Sequence, residues 1–196
     1  MGVSSSLLYR VSAVVSFLGH PLVTTMVFAV LVARHHVPGS GSAWIIGSVA
    51  LLVVGPISVW NLWQTRRGGY TNFDVSQRTQ RHSFYQVLLV LLGAATAGLF
   101  WQQQGGAFRY GLLAVWALLL VCFALNFWLK VSLHAAISFF LACVVLTLYP
   151  GWGWLALVAA GLVAASRLVL RRHTASELLA GTLLGTIAGL LLAWEL

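Results

Sequence analysis

Phe108-Arg-Tyr-Gly-Leu-Leu-Ala-Val-Trp-Ala-Leu-Leu-Leu-Val-Cys-Phe-Ala-Leu-Asn-Phe-Trp128 carries a single charge, Arg109, near its start. A helix that crosses the hydrocarbon of a bilayer needs roughly 20 predominantly apolar residues, and this stretch meets that need. Its Leu, Val and Ala residues run on without the alternation of a membrane-barrel strand. Within lipid a helix satisfies its own backbone polar groups, so the stretch reads as one span of an all-α assembly. Stretches at about 11–33, 43–63, 84–102, 132–149, 152–170 and 174–194 have the same character. The expected fold is an all-α, polytopic transmembrane helical bundle of about 6–7 helices, forming a single membrane domain over 1–196. Pro38-Gly39-Ser40-Gly41, Gln103-Gln104-Gly105-Gly106 and Pro150-Gly151 supply turn signals between segments. Trp44, Trp101, Trp128, Trp152 and Trp154 fall near segment ends, where interfacial aromatics gather.

Composition excludes the other classes. The 196 residues include 11 Lys+Arg and 3 Asp+Glu, 7% charged against 60% apolar, with a mean hydropathy of +0.93. A soluble domain carries about 25% charged residues, so this chain cannot coat a water-facing surface or stay disordered. The net charge of +8 sits in short clusters between long apolar runs. A nucleic-acid binder spreads its cations over a hydrated face, so no nucleic-acid partner is expected. Cys122 and Cys143 lie inside apolar runs, which argues against a structural disulfide. Met1–Arg10 and the run after it lack the pattern of a cleaved signal, and the first span is expected from Val11.

The one long polar stretch is Gln64–Ser83, and long structured loops tend to be functional. Charged residues near membrane helices are costly, which makes each a functional hypothesis. Three clusters have the spacing of helical faces: Asp74, Arg78 and Arg81; Lys130, Ser132 and His134; and Ser166-Arg167 with His173 and Glu177. On a helix His173 and Glu177 would meet, the carboxylate holding the imidazole in one tautomer. Several guanidinium forks suit a phosphate dianion. One histidine can then attack phosphorus while the other protonates the leaving oxygen. Asp74, Glu177 and Glu195 are the only acids, too few for a magnesium cage, so no metal or other cofactor is expected.

These residues resemble the type 2 phosphatidic acid phosphatases, integral membrane phosphatases related in fold to vanadium haloperoxidases and acid phosphatases. The family's third motif is Ser-Arg, five residues, His, three residues, Asp. Ser166-Arg167, His173 and Glu177 reproduce that spacing with Glu for Asp. The second motif, Pro-Ser-Gly-His, stands as Val131-Ser132-Leu133-His134. The first, Lys, six residues, Arg-Pro, stands as Asp74, six residues, Arg81-His82. The resemblance covers 64–194, a phosphatase-like core with motif regions 74–82, 130–134 and 166–177.

The resemblance implies a lipid phosphatase acting on a lipid mono- or diphosphate: a phosphatidate, a phosphatidylglycerophosphate or a polyprenyl diphosphate. It implies that His173 attacks phosphorus, Glu177 steadies it, and His134 protonates the leaving alkoxide. Arg78, Arg81, Lys130, Ser132, Ser166 and Arg167 would bind phosphate, with Asp74 in support of Arg78. Lys130 and Arg78 are cations beyond the family's set and could replace the lost lysine; Leu133 removes a glycine that would let backbone approach phosphate. His20, His35, His36 and His82 are read as structural or interfacial. Two alternatives stay open. One is a non-catalytic member of this fold that binds or moves a phospholipid. The other is a prenyl-transferring or haem-binding protein with His134 and His173 as ligands, although aspartate-rich prenyl-transfer motifs are missing.

With seven spans, breaks at 64–83, 129–131 and 171–173 open on one side. Arg10, Arg66, Arg67, Arg171 and Arg172 lie on that side, against Arg34 and Arg109 on the other, which favours a cytoplasmic site. Analogy with bacterial relatives, whose sites face outward from the inner membrane, points the other way. The expectation is an integral protein of a bacterial inner membrane, its site narrowly on the cytoplasmic face. Membrane lipids and the lipid phosphate are its expected partners, and the oligomeric state stays open.

Overall fold

A computed structural model of the chain describes residues 3–37, 39–75, 77–103 and 106–195. Pro38, Gln104 and Gly105, parts of two expected turns, lie outside them. The described residues are helical, without strands. In chain order the helices are α1 (Val3–Leu18), α2 (Pro21–His36), α3 (Ser40–Val49), α4 (Gly55–Arg66), α5 (Arg81–Trp101), α6 (Ala107–Leu125), α7 (Leu133–Leu148), α8 (Pro150–Val169) and α9 (Ala175–Glu195). A π-helical stretch, Ala50–Val54, joins α3 to α4, so Ser40–Arg66 runs as one element of 27 residues. Among the described residues five helices are long and apolar enough to cross a membrane, or six if the bent pair α1–α2 is one span. The polytopic helical bundle is as expected.

Two segments differ from their expected form. The first apolar stretch is two helices meeting at 47° rather than one span from Val11. Pro21 has no N–H to give and disfavours helical backbone at His20, so the helix ends and restarts there. The His20 ring caps the new helix, its Nδ1 accepting from the Leu22 amide at 3.2 Å. The stretch at 132–149 forms α7, which has only 16 residues. At 1.5 Å per residue that is about 24 Å, short of the roughly 30 Å of a bilayer's hydrocarbon. The π-helical stretch has a similar local cause. Pro56 cannot donate to a carbonyl four residues back and crowds it; the backbone above opens instead, with the Gly55 amide reaching the Ala50 carbonyl.

The chain divides into two compact units, one of Met1–Val27 with Lys130–Leu196, the other Phe28–Leu129. In the first, α7 is the core, with an unbroken buried run from Leu133 to Ser138. Helix α9 lies parallel to it through a glycine stripe. Gly181 faces the Ser132 carbonyl, Gly185 the Ala136 carbonyl and Gly189 the Phe140 backbone. A Cβ at Gly185 would stand 2.0 Å from the Ala136 oxygen, so only glycine permits this approach. Helix α1 packs on α8, where Gly19 meets Val163.

In the second unit α5 and α6 pair, Trp116 Nε1 donating to the Leu89 carbonyl at 3.0 Å. Tyr85, Phe123, Phe127 and His82 stack at the α5 start. The connection between α4 and α5 is an ordered loop. Its Tyr70 is buried, with its hydroxyl receiving Trp60 Nε1 at 3.0 Å and lying 2.9 Å from Ser83 Oγ. Asn61 Nδ2 donates to the Phe73 carbonyl, and Gln80 Oε1 receives both the amide and the hydroxyl of Thr71.

Candidate active site

In the first unit the centre is the turn from α8 into α9. Arg171 takes a positive φ of 53°, and the Arg172 amide folds back to the Arg167 carbonyl at 3.0 Å. This turn delivers His173 to the mouth of α9 with its side chain buried to 1% exposure. Thr174 follows as the N-cap of α9. Its Oγ1 accepts from the Glu177 amide at 3.3 Å, while Glu177 Oε2 accepts from the Thr174 amide at 3.2 Å. This reciprocal pair is a capping box of the Thr-x-x-Glu kind.

The same Oε2 also lies 2.8 Å from His173 Nδ1. A carboxylate has no proton to give, so Nδ1 carries the ring proton and, in the neutral ring, Nε2 carries the lone pair. The departure from the family motif has a physical reason here. Glutamate has the reach to satisfy the cap amide and the imidazole with one oxygen, and Glu is the residue that a capping box takes at this position.

Lys130 Nζ donates to the Arg172 carbonyl at 2.8 Å and lies 3.8 Å from Glu177 Oε2. The Ser132 amide donates to the Glu177 carbonyl at 3.1 Å, and Ser132 Oγ caps α7 by accepting from the Ala135 amide at 3.5 Å. Lys130, Ser132, His173 and Glu177 are thus brought together. His134 is buried in the first turn of α7, its ring edge-on to His20 with centroids 5.3 Å apart. Arg167, in the last turn of α8, is 3% exposed, and its Nη1 donates to Ser16 Oγ at 2.6 Å. Ser166 Oγ donates to the Val163 carbonyl at 2.6 Å, which commits its proton to its own helix.

The spacing reading of these clusters as helical faces is corrected at all three of them. Lys130 precedes α7, outside any helix, and His173 reaches Glu177 from the turn before α9 rather than along it. In the second unit Asp74 and Arg78 lie in the loop, and α5 begins only at Arg81. Gly68, at φ 78°, and Gly69 end the preceding helix, and Val75 at φ 46° turns the chain again. Arg78 Nη1 donates to the Trp128 carbonyl at 3.0 Å, and the Arg78 carbonyl accepts from Asn126 Nδ2 at 3.2 Å. Arg81 is buried, its Nε donating to the Val75 carbonyl at 3.0 Å. Asp74 is half-buried.

Thr174, Ser16 and His20 gain contacts to site residues only in the structure. Thr174 could be found in the sequence, since Thr-Ala-Ser-Glu at 174–177 before an apolar run spells the capping box. Ser16 has no such signal, standing 151 residues from Arg167.

Residues 123–195 match the family model of the PAP2 superfamily. The matched segment holds Lys130, Ser132, His134, Ser166, Arg167, His173 and Glu177, and leaves out Asp74, Arg78 and Arg81. No curated protein and no solved structure matches. The match bears out the resemblance carried by the third motif and supports phosphatase-type activity on phosphate esters.

Proposed function

From the PAP2-type segment we infer a metal-independent membrane lipid phosphatase that removes phosphate from a lipid mono- or diphosphate. The observation that carries this reading is the buried His173 with Nδ1 held 2.8 Å from Glu177 inside the matched segment. With the proton on Nδ1, the Nε2 lone pair attacks phosphorus and the bond from phosphorus to the lipid oxygen breaks. The departing electron pair takes a proton from His134, leaving a phosphohistidine at His173. His134 then accepts a proton from water, which attacks the phosphohistidine; the P–N bond breaks, and inorganic phosphate leaves. Glu177 offsets the positive charge that grows on the His173 ring in the first step. Arg167 and Lys130 supply cationic donors to the phosphoryl oxygens, with Ser132 and Ser166 beside them; Arg78 and Arg81 are assigned to phosphate from the sequence alone. Asp74 supports Arg78.

The core of the activity spans 64–194 within one membrane domain. The substrate's tail lies among the apolar helices, and its headgroup reaches the charged residues. The bacterial inner membrane remains the proposed location, with the site facing the cytoplasm. Both the seven-span count and the tally of positive residues placed by it assume that 132–149 spans; α7, at 16 residues, is shorter than a span, so the facing rests on the labelling test that follows. A cysteine at Gly69, with Cys122 and Cys143 replaced, tests it: reaction with an impermeant reagent in intact cells refutes the cytoplasmic assignment.

A phosphate-release screen of the purified protein across phosphatidate, phosphatidylglycerophosphate and polyprenyl diphosphate tests the activity, with His173→Ala as the control. Hydrolysis is expected to persist in chelator, because three acids, with Glu195 at the far end of the chain, cannot build a two-metal carboxylate site. Lipid binding without release of phosphate by any substrate would favour the non-catalytic reading, which the departures at Asp74 and Leu133 keep in view.

A further inference from the structure

Helix α1 and the break after it lie outside the matched segment, yet together they touch two residues of the proposed chemistry. The last turns of α1 run antiparallel to the end of α8. Ser16 stands opposite Arg167, and Gly19 stands opposite Val163, one turn earlier on α8. A Cβ at Gly19 would come 2.3 Å from Val163 Cγ2, so this glycine lets the two helices close up. Ser16 is 6% exposed and Arg167 3%, and the 2.6 Å bond from Nη1 to Oγ is buried at both ends. Just beyond, the break at His20-Pro21 turns the His20 ring toward α7, edge-on to His134 at 84°. That ring is itself anchored, its Nδ1 accepting from the Leu22 amide.

We propose that α1 and the break after it are a positioning element of the phosphatase site: Ser16 sets the Arg167 guanidinium and His20 sets the His134 imidazole. This rests on the functional reading above. Arginine reaches its target through four rotatable bonds, and its fork binds phosphate well only in one plane. A hydroxyl on one terminal nitrogen fixes that plane before substrate arrives, and preorganised donors are worth most where water is excluded. A serine serving only to fill space would lose nothing on conversion to alanine. His134, as proton donor, must likewise meet the leaving oxygen within hydrogen-bond reach, and an anchored ring in T-shaped contact with it limits its rotation. Both residues act through another side chain, so they are positioning residues.

The test uses the full chain in detergent with a lipid phosphate that it hydrolyses. Ser16→Ala is expected to lower kcat/KM by about tenfold to a hundredfold, mostly through KM, with a modest fall in Tm as the buried Nη1 loses its acceptor. Ser16→Thr, which keeps the hydroxyl, should recover most of the loss. In an Arg167→Lys background the effect of Ser16→Ala should shrink to about twofold or less, as coupling between contacting residues requires. His20→Ala should lower kcat, and His20→Phe, which keeps a ring edge, should lower it less. Wild-type kinetics in both Ser16→Ala and His20→Ala would overturn the proposal, as would an undiminished Ser16→Ala loss in the Arg167→Lys background. Should the wild-type chain hydrolyse none of the lipids, the functional reading fails on its own. The positioning role is then read from stabilisation by inorganic phosphate in a thermal melt. A smaller shift in Ser16→Ala than in wild type supports it, and equal or absent shifts overturn it.

Discussion

The turn at 170–177, with His173 and Glu177, and the loop at 67–80, with Asp74 and Arg78, both carry residues assigned to the phosphate chemistry, but they are held in different ways. The turn is fixed by its own neighbours: Thr174, Glu177 and His173 bond within five residues of sequence. The loop is fixed from a distance, through Trp60 and Ser83 on Tyr70, Asn61 on Phe73 and Asn126 on Arg78. Local bonding makes a site that one short motif can specify. Distant bonding makes a site that depends on the packing of whole helices.

The largest effect should fall on the turn and on Arg167 just before it. His173→Ala and Arg167→Ala are expected to cut turnover by about a thousandfold or more while the protein stays folded in detergent, as seen by its elution profile. A His173→Ala enzyme retaining more than a few per cent of activity would remove the nucleophile assignment. Next comes Glu177→Gln. Glutamine can still cap the Thr174 amide, so Tm should hold, but it cannot offset charge on His173, and activity should drop by about a hundredfold or more. Activity and stability falling together would mean that the two roles of Glu177 cannot be separated.

Gly185→Ala probes packing behind the turn. Its Cβ meets the Ala136 carbonyl, and a loss of about 1–3 kcal/mol in stability is expected. Gly161→Ala, where a Cβ meets nothing within 4 Å, is the matched control and should leave Tm unchanged. The smallest effect is expected in the loop. Tyr70→Phe removes the hydroxyl shared by Trp60 and Ser83 and should cost about 1 kcal/mol, with activity falling less than about tenfold. A larger loss of activity than of stability there would make the loop as directly functional as the turn.

This contrast also sets what the sequence could disclose. Hydropathy found α8 and α9 to within two residues, because long apolar runs leave a helix in lipid no alternative. It missed the break at His20-Pro21 and the π-helical stretch before Pro56, since averages over a window are blind to one missing N–H. The spacing of His173 and Glu177 was legible because their partnership is local. The spacing of Asp74, Arg78 and Arg81 suggested a helix, but Val75 at φ 46° breaks helical backbone beside Asp74 and α5 begins only at Arg81. The bond between Ser16 and Arg167 joins residues that only the packing of α1 on α8 brings together.

The doubly used oxygen of Glu177 makes the start of α9 and the readiness of His173 a single equilibrium. Each time the first turn of that helix frays, the carboxylate leaves the imidazole as well as the Thr174 amide, and in the proposed mechanism His173 is disarmed until the turn closes. Under that proposal hydrogen exchange at the Thr174 amide counts competent molecules, and a ligand that slows it steadies His173.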